Sequence, residues 1–281
     1  MSVDLRQAAL ERGEVVSVEQ LDGGLIEITA RLPRLAAAAV PGQFAQLRCG
    51  DHGGPLLRRP FSVAWTESET CSFVFEVVGE GTRLLAELTA GDVLDSLGPL
   101  GRGFSVDAAR GEVVCVSGGL GCAPFPLLVR SLRSRGVRDI IVLNGAASAE
   151  RLYPADRFTR GDAGVGVVEA TDDGSRGHHG FVTELLAPMV SSVTAVFACG
   201  PNAMLAAVAT QVTGAGSPRV AEASLEAPMG CGFGTCLGCA LPLRGDSRGP
   251  LWGLCCSDGP VLPLRSVDWA ALLALPAADV A

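Results

Sequence analysis

The chain has 281 residues, 48% hydrophobic and 19% charged, enough apolar material for two or three compact units of roughly 100–200 residues each and too little polarity for general disorder. A net charge of -8 and the absence of lysine among the 22 basic residues exclude a nucleic-acid binder, which needs clustered cations, and any mechanism built on a lysine Schiff base. No apolar run approaches the roughly 18 residues of a membrane span and the opening MSVDLRQAALERGE has no apolar signal core, so a cytoplasmic protein is expected.

From residue 14 to about 104, short alternating runs (VVSVEQL, LIEITARL, QFAQLRC, FSVAW, SFVFEVV and DVLDSLGPL) are separated by turns such as Pro41-Gly42, Gly53-Gly54-Pro55 and Gly91-Asp92. This texture predicts a small antiparallel barrel or sandwich. Within it, Arg58-Arg59-Pro60-Phe61-Ser62 enters an apolar strand and could present a guanidinium and a hydroxyl to a phosphate-bearing ligand. Gly79-Glu80-Gly81-Thr82 leads into the helical run RLLAEL, a turn that suits a pyrophosphate. Either segment alone could be an ordinary turn or helix cap.

Near Gly111 the texture changes. Apolar runs at 113–117, 139–143, 165–169 and 194–198 alternate with helical stretches such as 124–132 and NAMLAAVATQV, which predicts a parallel sheet with helical crossovers. The first run meets Gly118-Gly119-Leu120-Gly121-Cys122-Ala123-Pro124 and the last ends in Cys199-Gly200-Pro201. Two such turns at the carboxyl ends of strands in one sheet should share the edge where ligands of open α/β sheets bind. His52, His178 and His179 lie in polar, glycine-bounded loops and read as solvated rather than catalytic.

From about residue 218 the sequence is rich in Gly and Cys with little periodicity, as expected of a loop organised by a metal centre. Cys231, Cys236 and Cys239 have the CxxxxCxxC spacing that binds three corners of a [2Fe–2S] cluster, and Cys255 or Cys256 follows as the fourth thiolate. Gly232, Gly234 and Gly238 keep side chains away from the sulfurs. A zinc site is the competing reading, but zinc favours two CxxC-like pairs. Cys49, Cys71, Cys115, Cys122 and Cys199 sit singly in apolar surroundings and read as small buried hydrophobes.

Arg-Pro-Phe-Ser, Gly-Glu-Gly-Thr, Gly-Gly-Leu-Gly-Cys-Ala-Pro and Cys-Gly-Pro occur in the order found in the ferredoxin–NADP reductase superfamily. With SLEAPMGCGFGTCLGCALPL and CCSDGPVL added, the chain from about residue 14 to 264 resembles the electron-transfer subunits of type-B dihydroorotate dehydrogenases; residues 170–186 resemble a further segment of that family. The resemblance implies a multidomain β plus α/β, ferredoxin reductase-like protein: a six-stranded FAD-binding barrel over 10–106, an NAD-binding α/β domain over 107–217 and a [2Fe–2S] domain over 218–270. It implies that Arg59, Pro60, Phe61 and Ser62 meet the flavin, Val74, Phe75 and Glu76 line it, and Gly81 and Thr82 hold its pyrophosphate. Gly118, Gly119, Gly121, Cys199, Gly200 and Pro201 would frame the nicotinamide nucleotide. The register of Asp258-Gly259-Pro260 places the fourth cluster ligand at Cys256. The implied partner is an FMN-containing dihydroorotate dehydrogenase catalytic subunit in a heterotetramer, with electrons passing between it and NAD through the cluster and FAD in pyrimidine synthesis. Related subunits serve NADH-dependent ferredoxin:NADP reductases, sulfhydrogenases or oxygenases, which is the nearest rival function; a zinc-stabilised binding module is the rival of another class.

Overall fold

The computed structural model describes residues 7–50, 54–214, 218–246 and 249–275; His52 and Gly53 lie outside these. Six strands form a closed antiparallel barrel in the order β1-β2-β5-β4-β3-β6: β1 (Ala9–Gln20), β2 (Leu25–Arg31), β3 (Phe44–Leu47), β4 (Arg59–Glu67), β5 (Thr70–Glu76) and β6 (Val93–Leu100). Side chains alternate across each strand. Ile28, Ala45, Leu47, Phe61, Val63, Phe73 and Phe75 fill the barrel, and Phe61 and Phe75 pack with ring centroids 5.5 Å apart. Helix α1 (Pro33–Ala38), which the strand pattern did not suggest, lies between β2 and β3, and α2 (Glu80–Ala86) follows β5.

The second half alternates strand and helix as its sequence predicts. The strands are β7 (Val113–Gly118), β8 (Ile140–Ala146), β9 (Val165–Thr171), β10 (His178–His179), β11 (Ala195–Cys199) and β12 (Val220–Ser224). The helices are α3 (Phe125–Ser134), α4 (Ala155–Thr159), α5 (Val182–Leu186) and α6 (Asn202–Gln211). Beyond β12 the structure is more regular than the sequence suggests. A hairpin joins β13 (Ala240–Asp246) to β14 (Gly249–Leu254), then come β15 (Val261–Pro263) and α7 (Trp269–Leu273), whose first turn is capped by the Asp268 carboxylate. Tertiary pairing explains the difference: β12 is held between β11 and β15, so three-residue β15 needs no periodicity of its own.

The sheet order is β10-β9-β8-β7-β11-β12-β15, parallel except for β15. The chain thus moves outward from β7 to the edge strand β10 and then crosses to the other side of β7, which puts the topological switch point between β7 and β11. One apolar cluster, containing Leu25, Ala64, Val74, Phe125 and Tyr153, joins barrel to sheet. A second, containing Phe44, Leu225, Cys239, Cys255, Cys256 and Leu264, joins barrel, sheet and cysteine segment.

Candidate functional site: three adjoining centres

A bulge between Val63 and Trp65 turns Trp65 outward from the barrel. There the Arg130 guanidinium lies 4.2 Å from its ring centroid and Arg160 5.0 Å. Glu27, 4% exposed, binds Arg157 and Arg160 at 3.1 and 2.7 Å. These contacts tie β2 and β4 to α3 and α4, so the barrel meets the α/β half through charge-assisted bonds as well as apolar packing.

Of the barrel residues expected at a flavin, Arg59, Pro60 and Ser62 are part-exposed. Pro60 and Ser62 alternate with Phe61 and therefore lie on the outer face, while Phe61 and Phe75 point into the barrel and can offer only backbone outward. Val74 lies on the outer face against the sheet. Glu76 does not carry an uncompensated charge: its carboxylate accepts from Arg151 at 2.9 Å. Gly81 starts α2 in tight packing, since a Cβ there would stand 3.2 Å from the Cys49 sulfur. The Thr82 hydroxyl accepts from the N–H groups of Val78 and Gly79 and donates to the Gly79 carbonyl, so its first task is to shape this turn.

At the switch point Ser117 of β7 faces Cys199 of β11, which brings Gly118, Gly119, Gly121, Cys199, Gly200 and Pro201 together. A Cβ on Gly121 would stand 2.1 Å from the Cys199 carbonyl oxygen, and one on Gly118 2.5 Å from the Met204 sulfur. Gly119 has φ +55° and nothing within 4 Å of a built Cβ, an open backbone position beside that seam. Such a cradle admits the close approach of a dinucleotide. Cys199 is buried, and desolvation raises its thiol far above the ordinary range.

In the cysteine loop, Cys239 and Cys256 lie sulfur to sulfur at 3.2 Å, and the Cys256 N–H donates to the Cys239 sulfur. The Gly234 N–H donates to the Cys256 sulfur at 3.1 Å. The Cys231 sulfur accepts from the N–H groups of Phe233 and Cys236, both at 3.5 Å. Burial works to raise the Cys231 thiol, but the backbone N–H groups of Phe233, Cys236 and Thr235 outweigh it and lower it to about 6. Burial, with the Cys239 sulfur beside it, pushes Cys256 up to about 12. Gly232 and Gly234 have φ +84° and +87°, the left-handed turns that let the loop wrap round.

Cys255 faces the other way. It is fully buried, and its thiol donates to the Leu225 carbonyl. The Asp258 carboxylate accepts from the Leu254 N–H at 2.8 Å and so braces the turn that separates the two adjacent thiols. Among the described residues no three Cys, His, Asp or Glu side chains converge as on a single metal ion. The sulfurs are arranged as a 239/256 pair and a 231/236 pair, which fits two irons better than one zinc.

Sequence reasoning did not single out Phe44 and Gln46. Both lie on the outer face of β3, opposite Ser62 and Pro60 of β4. Phe44 packs in the apolar cluster with Cys239, Cys255 and Cys256, and a Cβ on Gly232 would stand 2.7 Å from the Gln46 side chain. The cysteine loop therefore rests on the barrel one strand away from the Arg59 to Ser62 segment.

A closed antiparallel barrel, a switch-point crevice on an adjoining parallel sheet and a segment that gathers four cysteines define a ferredoxin reductase-like electron-transfer protein. A family model described as the iron–sulfur cluster binding domain of dihydroorotate dehydrogenase B matches residues 226–268. The chain is 37% identical over 242 residues to the dihydroorotate dehydrogenase B (NAD(+)) electron transfer subunit of Desulforamulus reducens, covering 84% of this chain and 90% of that protein. Its identity to the Geobacillus thermodenitrificans subunit is 36% over 255 residues, covering 89% and 95%. Among solved structures, an NADH-dependent reduced ferredoxin-NADP oxidoreductase superimposes with TM-score 0.80 at 27% identity, covering 93% of this chain and 91% of that one. The chain belongs to the family of electron transfer subunits of dihydroorotate dehydrogenase B. No described helix is long and apolar enough to cross a membrane.

Proposed function

We propose that this chain is the oxidoreductase subunit that carries electrons between an FMN-containing dihydroorotate dehydrogenase catalytic subunit and NAD in pyrimidine synthesis, in a cytoplasmic heterotetramer. The observation that carries the reading is the seating of the cysteine loop on β3, beside the β4 segment that would meet a flavin. When bound, FAD supplies hydride exchange with the nicotinamide and the [2Fe–2S] cluster supplies one-electron transfer.

The protein's part is placement. Residues 10–106 hold FAD, with Arg59, Pro60, Phe61 and Ser62 along its ring system, Val74, Phe75 and Glu76 beside it, and the turn at Gly81 and Thr82 at its pyrophosphate. Residues 107–217 hold NAD between Gly118, Gly119 and Gly121 at the end of β7 and in the turn after it, and Cys199, Gly200 and Pro201 at the end of β11 and in the turn after it. Residues 218–270 hold the cluster on Cys231, Cys236, Cys239 and Cys256, and β12 and β15 anchor that segment in the sheet. Burial of Cys239 and Cys256 excludes water from one side of the cluster, while exposed Phe233 and Leu237 leave the other side for the partner.

The test is anaerobic purification with iron, sulfide and flavin analysis, followed by reconstitution with the catalytic subunit and assay of dihydroorotate-dependent NAD reduction. A loaded pair that reduces no NAD would refute the partner assignment. A second reading, a reductase subunit serving a different acceptor, is favoured by the likeness to the ferredoxin-NADP oxidoreductase; in that case the loaded subunit reduces a ferredoxin but not the dihydroorotate-oxidising flavoprotein.

A further inference from the structure

Gln46 is 0% exposed, and neither its Nε2 nor its Oε1 has a hydrogen-bond partner. Among the described residues it is the one buried side chain with both polar ends so placed. Its neighbour Gln43 shows the usual outcome: Nε2 donates to the Gly101 carbonyl and Oε1 accepts from the Val40 N–H. A buried carboxamide without partners is costly, so its retention calls for an acceptor that the polypeptide itself does not supply.

The surroundings identify that acceptor. A Cβ on Gly232 would stand 2.7 Å from both Cγ and Nε2 of Gln46, so the amide end lies directly beneath the residue that follows Cys231. The loop's own amides already point at sulfur: Phe233 and Cys236 at Cys231, Gly234 at Cys256. Gln46 reaches the same loop from the barrel side. Its own backbone is fixed, because β3 pairs it with Pro60 and Leu97 and its carbonyl accepts from Arg58. A donor on a rigid strand, without an acceptor and against a thiolate loop, is arranged to meet negative charge on sulfur.

We propose that the Gln46 carboxamide is a positioning residue that donates an N–H hydrogen bond to the iron–sulfur group at the Cys231 end of the loop and favours its reduced form. The inference rests on the [2Fe–2S] reading given above. Reduction adds one electron to a group already carrying thiolate charge, and an N–H aimed at a sulfur is stronger to the more negative state, so the donor raises the reduction potential. The same residue lies across from Pro60, so, with Phe44 opposite Ser62, it joins the flavin strand to the cysteine segment.

The test uses the full chain purified anaerobically. Wild type carrying side-chain 15N-glutamine, reduced and examined by pulsed EPR, should show a 15N coupling to the cluster that Gln46→Met abolishes. At the solution potential that half-reduces wild type, the reduced-to-oxidised ratio in Gln46→Met should fall on the order of tenfold, with iron and FAD contents unchanged. A normal [2Fe–2S] signal without 15N coupling overturns the inference and leaves the cluster reading intact, even if the variant does not fold, because that measurement needs wild type alone. Absence of any [2Fe–2S] signal overturns both.

Discussion

The adjacent thiols Cys255 and Cys256 give the sharpest test of the cluster geometry, because the structure assigns them opposite surroundings. Cys256 lies against the Cys239 sulfur and accepts from Gly234, whereas Cys255 donates to the Leu225 carbonyl inside the apolar cluster. Cys256→Ala removes one of four thiolates, so bound iron should fall from about two per chain to near zero. Cys255→Ala removes a buried group about the size of one methylene and a weak S–H bond. The loss is about 1–2 kcal/mol, which for a chain of this size lowers Tm by roughly 3–6 °C and leaves iron unchanged. Iron and sulfide analysis with visible circular dichroism reads the first effect, and thermal unfolding followed at the flavin band reads the second. An iron-free Cys255→Ala together with an iron-loaded Cys256→Ala would show that the turn braced by Asp258 presents the other thiol, and the argument from its geometry would fail.

Gly121→Ala must force the turn after β7 away from the end of β11, since its Cβ would stand 2.1 Å from the Cys199 carbonyl; a loss of about 3 kcal/mol and of NADH binding is expected. Gly119→Ala meets open space and carries only a left-handed penalty of about 1 kcal/mol, so equal damage from both substitutions in calorimetric titration with NADH would contradict the seam. Glu27→Ala leaves Arg157 and Arg160 without their shared carboxylate. Breaking a buried pair costs about 3–5 kcal/mol, but both arginines keep about a quarter of their exposure and can rehydrate, which reduces this to about 2 kcal/mol, a Tm lower by roughly 4–6 °C. An unchanged Tm would show that the triad does not clamp barrel to sheet. Thr82→Val deprives the N–H groups of Val78 and Gly79 of their acceptor, a loss of about 1–2 kcal/mol in the turn, and should speed FAD release in fluorescence dilution assays, with Thr82→Ser restoring it.

Much of this architecture is legible because it depends on local periodicity. The six barrel runs and the β7, β8, β9 and β11 runs all read correctly as strands, since each alternates or stays apolar over its length. Likewise the cysteine spacing is a local pattern, and it identifies the loop without reference to any neighbour. The features that escaped belong to pairings distant in sequence. Short β15 exists only because β12 is there to bond it, and Gln46 reads as an ordinary strand residue until Gly232 is found above it. Phe61 and Phe75 show a different limit: the strands that would meet the flavin put these aromatic side chains into the barrel core, with Pro60 and Ser62 on the outer face, a division of faces that the motif does not reveal.

The joins between the three parts are built to fix distance. Where the barrel meets the cysteine segment, the Arg102 N–H donates to the Gly259 carbonyl at 2.6 Å, and a Cβ on Gly101 would stand 2.4 Å from Pro260. Where it meets the sheet, the Ser105 N–H and hydroxyl both donate to the Glu222 carboxylate on β12. Glu222 in turn sits opposite Pro263 of β15, so a single residue ties the end of the barrel to the strand pair that anchors the cysteine segment. The contact at Gly101 and Gly259 lacks the slack that a hinge requires, because glycine at the close approach leaves backbone against neighbour with no side chain to rearrange. One-electron transfer is served by such a frame: the cysteine loop rests on β3, and β3 is hydrogen-bonded to the β4 segment at a strand spacing of about 5 Å. Phe233 and Leu237 of the same loop take no part in these joins and are exposed.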